Sequence, residues 1–342
     1  MKGSILILLA LLLFGCSRQK QQLNVFIWPD YIDPQAVADF EREFDCKVTF
    51  DFYEDVGLMQ TKLAAGGSST YDIVVPGHFT LPGLIQRSLV APLRHENIPN
   101  LKNIDPQFLN PKFDPDNRHS APYLWGTTGI YMRRPKGKPI DETWGLIFDP
   151  AKQPGAFLFL EDPRFCIGAA LWYKGYRVNT TDLKEMAEAR DLVFEAKKRS
   201  LGFASSFAAK NRVLSRDASM TIAYNNDAMR GEMEDTETHY FIPREGGGIW
   251  LDTLSIPAKA PHRDLAEKFI NYMLDAKVAA RIANFTKTAT PNKAALDFVN
   301  PSDRKNPGIY PPPDVMARLE YGYDLGEKNK LYDELWTQIK AK

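Results

Sequence analysis

The sequence predicts an α/β protein with parallel sheets, helices on the faces of these sheets, and enough chain for two lobes. Short apolar strand patterns alternate with amphipathic helix patterns, first along residues 23–75 and again along residues 157–274. Such alternation is typical of parallel sheets covered by helices. The chain has 342 residues, which is long enough for two lobes with separate hydrophobic cores.

The amino terminus carries the pattern of an export signal. Lys2 precedes an apolar stretch at residues 5–14, and a small residue and a cysteine follow it. The stretch is shorter than the roughly 20 residues that a membrane-spanning helix needs. We therefore expect residues 1–15 to be a signal peptide and the mature protein to lie outside the cytoplasm.

Leu13-Phe14-Gly15-Cys16 is similar to the bacterial lipobox, which predicts lipidation of Cys16. Phe14 is larger than the residue usual at its position, so a plain signal peptide cut elsewhere is the alternative. Residues 16–22 are polar and would form a lipidated tether. The lipid would then be the only contact of the protein with the membrane.

The first block of elements begins with an apolar strand at residues 23–28. Asp33 and Pro34 then begin a helix, because apolar side chains recur on one helical face after them. The rest of the block consists of a strand at 48–53, a helix at 58–65 and a strand at 72–75 that ends at Pro76.

The second block begins with a strand at residues 157–160 that leads into Asp162 and Pro163. Asp182 then begins a helix that extends to residue 198, with Leu183, Met186, Ala189, Val193 and Ala196 inward. Strands follow at 220–224 and 249–256, and a helix at 264–274. In the last strand, alternation places Trp250 and Asp252 on one side.

Ligands of parallel sheets bind beyond the carboxyl ends of the strands, and aromatic and acidic side chains follow several of these ends. Carboxylates offset the lost hydration of an ammonium group, and aromatic faces attract it. The pattern therefore favours an organic cation, although a lone Trp is usually core and a lone Asp after a strand is usually a cap. The candidates are Trp28, Asp30, Tyr31, Gly77, His78, Phe79, Asp162, Tyr224, Asp227, Trp250 and Asp252.

Bulk charge and the reactive residue types exclude several functions. The chain has 43 basic and 43 acidic residues, so no global field favours nucleic acid. The five histidines show no metal-ligand spacing, and Cys46 and Cys166 are expected to be buried free thiols. We expect no metal, no cofactor and no catalysis.

Six short motifs follow one another along the chain. They are residues 27–31 (IWPDY), 71–76 (YDIVVP), 113–117 (FDPDN), 122–129 (PYLWGTTG), 242–247 (IPREGG) and 306–315 (NPGIYPPPDV). In this order they resemble the motifs of the polyamine-binding proteins of bacterial ABC importers, the spermidine- and putrescine-binding family. The resemblance extends from about residue 23 to the carboxyl terminus.

The resemblance implies a two-lobed periplasmic binding protein fold of type II, with mixed, mostly parallel sheets, helices on both faces and a hinge that the chain crosses more than once. It also implies the two lobes and the closure of both over an extended polyamine. Residues 23–126 and 252–296 would form lobe 1, and residues 127–251 and 297–342 would form lobe 2.

Matching positions in the family imply roles for individual residues. Trp28 and Tyr31 match aromatics of the first lobe, and Asp30 matches an acidic residue beside them. Trp250 matches the aromatic that stacks along the ligand, and Asp252 matches the carboxylate that takes an ammonium. Asp227 matches a second carboxylate of the putrescine-binding branch. Tyr224, three residues earlier, stands where the family more often has Trp.

Several positions depart from the family pattern. Gly77 and His78 replace a serine and a small or polar residue, and Gly322 replaces a glutamine. Phe165 replaces a glutamate that takes an amine, and Thr288 replaces a tyrosine. The lost glutamate favours a short diamine, or a monocation with an apolar body, over a long triamine.

The resemblance also implies a monomer whose partners are a small amine and an ABC transporter permease. A sensory lipoprotein, or a receptor for another small cationic ligand, is the alternative within the same fold. The alternative from the enzyme class is a secreted hydrolase that uses Asp227 and Asp252 as a carboxylate pair. A ferric-ion receptor is disfavoured because the chain has no Tyr-Tyr pair.

Overall fold

A computed structural model describes residues 20–134 and 139–341. The predicted signal peptide and the predicted lipidation site, Cys16, lie outside these residues. The strands are β1 Gln21–Ile27, β2 Cys46–Phe52, β3 Ile73–Val74, β4 Ser120–Arg133, β5 Phe157–Leu160, β6 Phe203–Ala204, β7 Met220–Tyr224, β8 Thr238–Phe241, β9 Gly247–Ser255 and β10 Leu319–Tyr321. The helices are α1 Pro34–Glu43, α2 Val56–Ala64, α3 Leu81–Gln86, α4 Gly145–Phe148, α5 Pro163–Tyr173, α6 Leu183–Lys197, α7 Ser206–Leu214, α8 Asn225–Glu234, α9 Arg263–Met273, α10 Ala276–Thr286, α11 Pro301–Arg304, α12 Pro313–Met316 and α13 Asn329–Ala341.

The helices begin where the sequence predicts caps. Asp33 accepts a hydrogen bond from the backbone N–H of Gln35 at 2.9 Å and begins α1. Asp182 caps α6 in the same way. Side-chain caps of this kind satisfy N–H groups that lack a partner within the helix. The inward face of α6 is confirmed except at Leu183, the first residue of the helix, which is 69% exposed.

The strands form one mixed sheet in the order β2-β1-β3-β9-β4-β7-β5-β6, with β10 on β9 and β8 on β4. Parallel pairs lie at both ends of this order, β1 with β2 and β3, and β5 with β6 and β7. The long strands β4 and β9 are antiparallel to each other and join the two parallel groups. The mixed α/β architecture is thus as predicted.

The strands β4 and β9 are the structural link between the two ends of the sheet. Strand β9 pairs with β3 at Ser255 and with β10 at residues 247–249, so its two ends have different partner strands. Both strands are almost wholly buried, and the largest hydrophobic cluster continues through them. The expected separate cores are therefore joined here. The lobe boundaries at 126/127, 251/252 and 296/297 stay a prediction.

The amino-terminal boundary of the fold differs from the expectation. The tether was expected to extend to residue 22, but Gln21 and Gln22 already pair with Cys46 and Lys47 in β1 and β2. Backbone hydrogen bonds between parallel strands do not require apolar side chains, so these two glutamines extend the strand. Cys46 and Cys166 are buried free thiols, as predicted. Within the described ranges, no helix has the length and apolar character needed to span a membrane.

Candidate functional site

A cavity of about 550 Å³ lies beside β9, where the loop after β1 and the loop after β3 meet the amino-terminal ends of α5, α7 and α8. Its position agrees with the expectation that ligands bind beyond strand ends. Twelve of the thirteen side chains or backbone positions predicted for the site line it: Trp28, Asp30, Tyr31, Gly77, His78, Phe79, Asp162, Phe165, Tyr224, Asp227, Trp250 and Asp252.

Thr288 does not line the cavity, so the prediction that it is a site residue is wrong. Its side chain is 1% exposed, and its hydroxyl donates a hydrogen bond to the carbonyl of Thr286 at 3.2 Å. After α10 the chain turns through Lys287 at a φ of 57° and then bridges Ala289 to Trp125. This turn packs Thr288 within the protein.

Asp252 is the carboxylate with the most distinctive surroundings. It lies in β9 and forms an isolated bridge with Gly77. The Tyr31 hydroxyl donates a hydrogen bond to its carboxylate at 2.6 Å, and no lysine or arginine of the described chain pairs with it. Burial raises the pKa of Asp252 to about 7, and the Tyr31 hydrogen bond opposes this rise. Among the residues that the structure describes, this carboxylate thus has no counter-ion.

Three aromatic rings form a row beside this carboxylate. The ring centroids of Phe165 and Tyr224 are 6.0 Å apart, and those of Tyr224 and Trp250 are 6.3 Å apart. Both pairs meet edge to face, which is a favourable geometry for aromatic rings. The Trp250 indole N–H donates to the carbonyl of Thr127 at 3.3 Å, so its ring is held in place. The row offers apolar surface for the methylenes of a ligand.

Two glycines make the space in which this row packs. A Cβ atom at Gly248 would lie 2.1 Å from Cε1 of Phe165. A Cβ atom at Gly126 would lie 2.1 Å from Oδ1 of Asn225 and 2.4 Å from Cζ2 of Trp250. Side chains at these two positions are therefore incompatible with the observed ring positions, and the motif that contains Gly126 serves the site.

Asp162 combines the two interpretations that the sequence left open, a helix cap and a site residue. It accepts a hydrogen bond from the backbone N–H of Phe165 at 3.0 Å and so caps α5. Its other oxygen accepts a hydrogen bond from the Tyr224 hydroxyl at 2.7 Å. Both oxygens are thus engaged, and the carboxylate orients Tyr224 as well as lining the cavity.

Asp227 and Asp30 differ in how much of their negative charge is available to a ligand. Burial raises the pKa of Asp227, while a hydrogen bond from Ser206 and the nearby charge of Arg230 lower it. Arg230 also donates to the carbonyl of Asp30 at 2.9 Å and lies 3.6 Å from its carboxylate. The Asp30 side chain is 71% exposed, so Asp30 is a weaker partner for a ligand than the sequence suggested.

Several residues that line the cavity were not predicted from the sequence. Arg230 lies three residues after Asp227 on α8, so helical spacing could have found it. Arg164 directly precedes Phe165, and helical spacing gives no such signal for it. A second group comes from the carboxyl-terminal part of the chain, which folds back onto the site, and includes Asn329, Tyr332 and Asp333. A third group includes Glu54, Ser205, Ser206 and Phe207.

The cavity has an excess of negative charge. Of the residues that the structure describes, six acidic side chains but only two arginines line it. Burial lowers the pKa of His78 to about 4, so this imidazole adds no positive charge at neutral pH. The excess favours a cationic ligand. The acidic residues are Asp30, Glu54, Asp162, Asp227, Asp252 and Asp333, and the basic ones are Arg164 and Arg230. The described part of the chain brings no three His, Cys, Asp or Glu side chains together as metal ligands.

An acidic, aromatic-walled cavity beside two long linking strands is the arrangement of a small-molecule receptor. The chain belongs to the family of bacterial extracellular solute-binding proteins, whose sequence profile matches residues 35–309. The resemblance noted in the sequence is thereby confirmed.

Individual relatives agree with this assignment. The chain is 32% identical to a putrescine/cadaverine-binding protein of Pseudomonas aeruginosa, over 98% of this chain and 99% of the relative. It is also 32% identical to the putrescine-binding periplasmic protein PotF of Escherichia coli, over 94% and 92% of the two chains. These relatives are binding proteins by name, as expected for a receptor rather than an enzyme.

Solved structures give the same result for the fold. A putative spermidine/putrescine ABC transporter protein from Listeria monocytogenes is 31% identical, with a TM-score of 0.85 over 94% of this chain and 99% of that chain. The fold is therefore the type II periplasmic binding protein fold that the sequence predicted.

Proposed function

We propose that the protein is an extracytoplasmic receptor that captures a small organic amine of the polyamine class and delivers it to an ABC importer. The proposal rests on Asp252, a carboxylate of the cavity that, among the described residues, has the Tyr31 hydroxyl and no lysine or arginine as its partner. The negative excess of the cavity and the names of the relatives support it.

We assign a role to each part of the site. An ammonium group of the ligand donates a charge-assisted hydrogen bond to Asp252. The adjoining methylenes lie against Tyr224 and Trp250, whose faces attract the cation and cover apolar surface. Asp227 is the second carboxylate available to the other ammonium of a diamine.

Closure of the two lobes over the ligand completes this mechanism. Contacts between residues of the two predicted lobes already flank the cavity, since Arg230 binds Asp30 and the Arg164 guanidinium lies 5.2 Å from the Phe79 ring centroid. Exclusion of water around Asp252 strengthens each charge contact because the local dielectric falls.

The remaining parts of the proposal concern location and partners. We assign a lipid anchor at Cys16, a permease as the partner, and a monomer without affinity for nucleic acid. The alternative within the same fold is a sensory lipoprotein, or a receptor for a different small cation. An adjacent gene for a permease favours import, and an adjacent gene for a kinase or chemoreceptor favours sensing.

A thermal-shift panel tests the proposed function. Diamines, triamines, guanidinium compounds and uncharged diols are each added to the purified mature protein. Binding to the folded state raises the melting temperature by mass action. We expect stabilisation by amines and none by diols of the same chain length. Equal stabilisation by the diols, or none by any amine, would refute the proposal.

Binding of a diamine is also expected to depend on pH. The pKa of Asp252 in the ligand-free protein is about 7, and a bound ammonium favours the charged carboxylate and lowers this pKa. Above the ligand-free pKa the carboxylate is already charged, whereas below it a proton must leave on binding. Affinity is therefore expected to be roughly ten-fold weaker at about pH 6 than at about pH 8.

Calorimetric titrations with putrescine across this range measure the effect. Asp252→Asn is the control, because this variant has no proton to release at position 252. Its profile should be flatter than that of the unmodified protein, with any remaining slope due to Asp227, whose pKa is also raised by burial. Affinity that is constant from pH 6 to pH 8 in the unmodified protein would contradict the assignment.

A further inference from the structure

Arg164 places a buried cation in the wall of an otherwise acidic cavity. It lies in the first turn of α5 and its side chain is 7% exposed. Its guanidinium carbon lies 4.0 Å from the Tyr332 ring centroid and 5.2 Å from that of Phe79. The group is thus stacked between two rings, which fixes its orientation.

Only two of the five N–H donors of this guanidinium have partners among the described residues. Nη2 donates to Oδ1 of Asn179 at 2.7 Å and to the carbonyl of Tyr323 at 3.1 Å. Nε and Nη1 are buried and have no hydrogen-bond partner among the described residues. Unpaired donors on a buried cation are costly, so an acceptor from outside the protein is favoured.

The acidic side chains around Arg164 do not supply this acceptor. Asp162, Asp324 and Asp333 act on its charge through space, but none of them forms an ion pair with it. Both oxygens of Asp162 already accept hydrogen bonds from other groups. Burial lowers the pKa of Arg164, and these charges oppose the decrease, so the group is still a cation at neutral pH.

The cavity has room beside Nε, one of the two unpaired nitrogen atoms of Arg164. Gly322 lines the cavity next to Arg164, and a Cβ atom at Gly322 would lie 3.5 Å from Nε and 3.8 Å from Nη2. These are ordinary van der Waals distances, so a side chain could occupy this position and glycine leaves it empty. Of the two unpaired nitrogen atoms, Nε therefore lies next to this unfilled space.

We propose that this end of the cavity binds an oxygen acceptor of the ligand, and that the receptor takes, besides diamines, amines whose far end carries a carboxylate or an amide. The planar fork of a guanidinium suits a carboxylate, and a second ammonium at this place would face a like charge. The inference rests on the proposed function, because the amine end of the ligand is held at Asp252.

Titration calorimetry with four ligands that share a four-carbon chain tests the inference. The ligands are putrescine, 4-aminobutanoate, N-acetylputrescine and butylamine. We expect 4-aminobutanoate or N-acetylputrescine to bind at least about ten-fold more tightly than butylamine, which has the same ammonium but no acceptor. The carboxylate and the amide arms distinguish the two kinds of acceptor.

Two variants test whether Arg164 is the cause. Arg164→Met keeps an unbranched side chain of similar length without the donors, and it should abolish the preference for acceptor-bearing ligands over butylamine. Gly322→Asp keeps Arg164 and gives it an internal acceptor, and it should abolish the same preference. If Arg164→Met does not fold, the second variant decides.

The possible results separate this inference from the proposed function. Binding of putrescine, with butylamine as tight as both acceptor-bearing ligands, overturns the inference alone. An unchanged preference in either folded variant also overturns it. Failure of all four amines to bind overturns the proposed function and the inference together.

Discussion

Replacing Asp252 with Asn is expected to weaken the binding of a diamine by about 2–4 kcal/mol, or roughly 30- to 900-fold in Kd. Asn has the shape of Asp and can still accept a hydrogen bond from the Tyr31 hydroxyl, so the local structure should persist. The loss arises because a desolvated ammonium then has no opposite charge beside it. Titration calorimetry with putrescine measures the change.

The matched control is Glu54→Gln, which removes another acidic side chain of the same cavity. Glu54 is exposed to solvent, and the attraction between exposed charges is small. We expect this variant to bind putrescine within about three-fold of the unmodified protein. Equal losses in both variants would show that general charge, and not Asp252, determines binding.

The second large effect is expected for Gly126→Ala. The new methyl group would overlap Oδ1 of Asn225 and the ring of Trp250. Asn225 is buried and joins the backbone of Thr127 to that of Gly308, so its displacement also disturbs the sheet. We expect the free energy of unfolding to fall by about 1–3 kcal/mol, as is usual for overpacking.

Ligand binding should suffer in the same variant, because Trp250 can no longer keep its position in the aromatic row. A loss of about 1–2 kcal/mol in the affinity for putrescine is expected. Chemical denaturation and calorimetry measure the two effects separately.

Gly83→Ala is the control, since a Cβ atom at Gly83 in α3 meets nothing within 4 Å. That variant should be as stable as the unmodified protein or more stable by about 0.5–1 kcal/mol. Unimpaired stability and affinity in Gly126→Ala would contradict the packing described here.

The strand ends could be predicted because their signals are local. Branched and aromatic runs followed by polar residues marked β1, β5 and β7, and alternation placed Trp250 and Asp252 on one side of β9. Because strand ends in such sheets converge, the predicted side chains came together. The family resemblance added the residues for which local pattern gives only a weak signal.

The remaining features of the site depend on contacts distant in sequence. No local pattern shows that Arg230 pairs with Asp30, 200 positions away, and so reduces the charge available there. The stacking of Arg164 between Phe79 and Tyr332 likewise requires the folded carboxyl terminus. Thr288 was expected in the cavity from a matching family position, but the turn after α10 determines where it lies.

The crystal structure of a complex with putrescine shows whether Asp252 holds the ligand, through the distance from the nearest ligand nitrogen to the Asp252 carboxylate. We expect a charge-assisted hydrogen bond of about 2.7–2.9 Å, with the methylenes against Trp250. A ligand bound elsewhere, or a nitrogen beyond hydrogen-bond distance while Asp252 keeps only the Tyr31 hydroxyl, would contradict it.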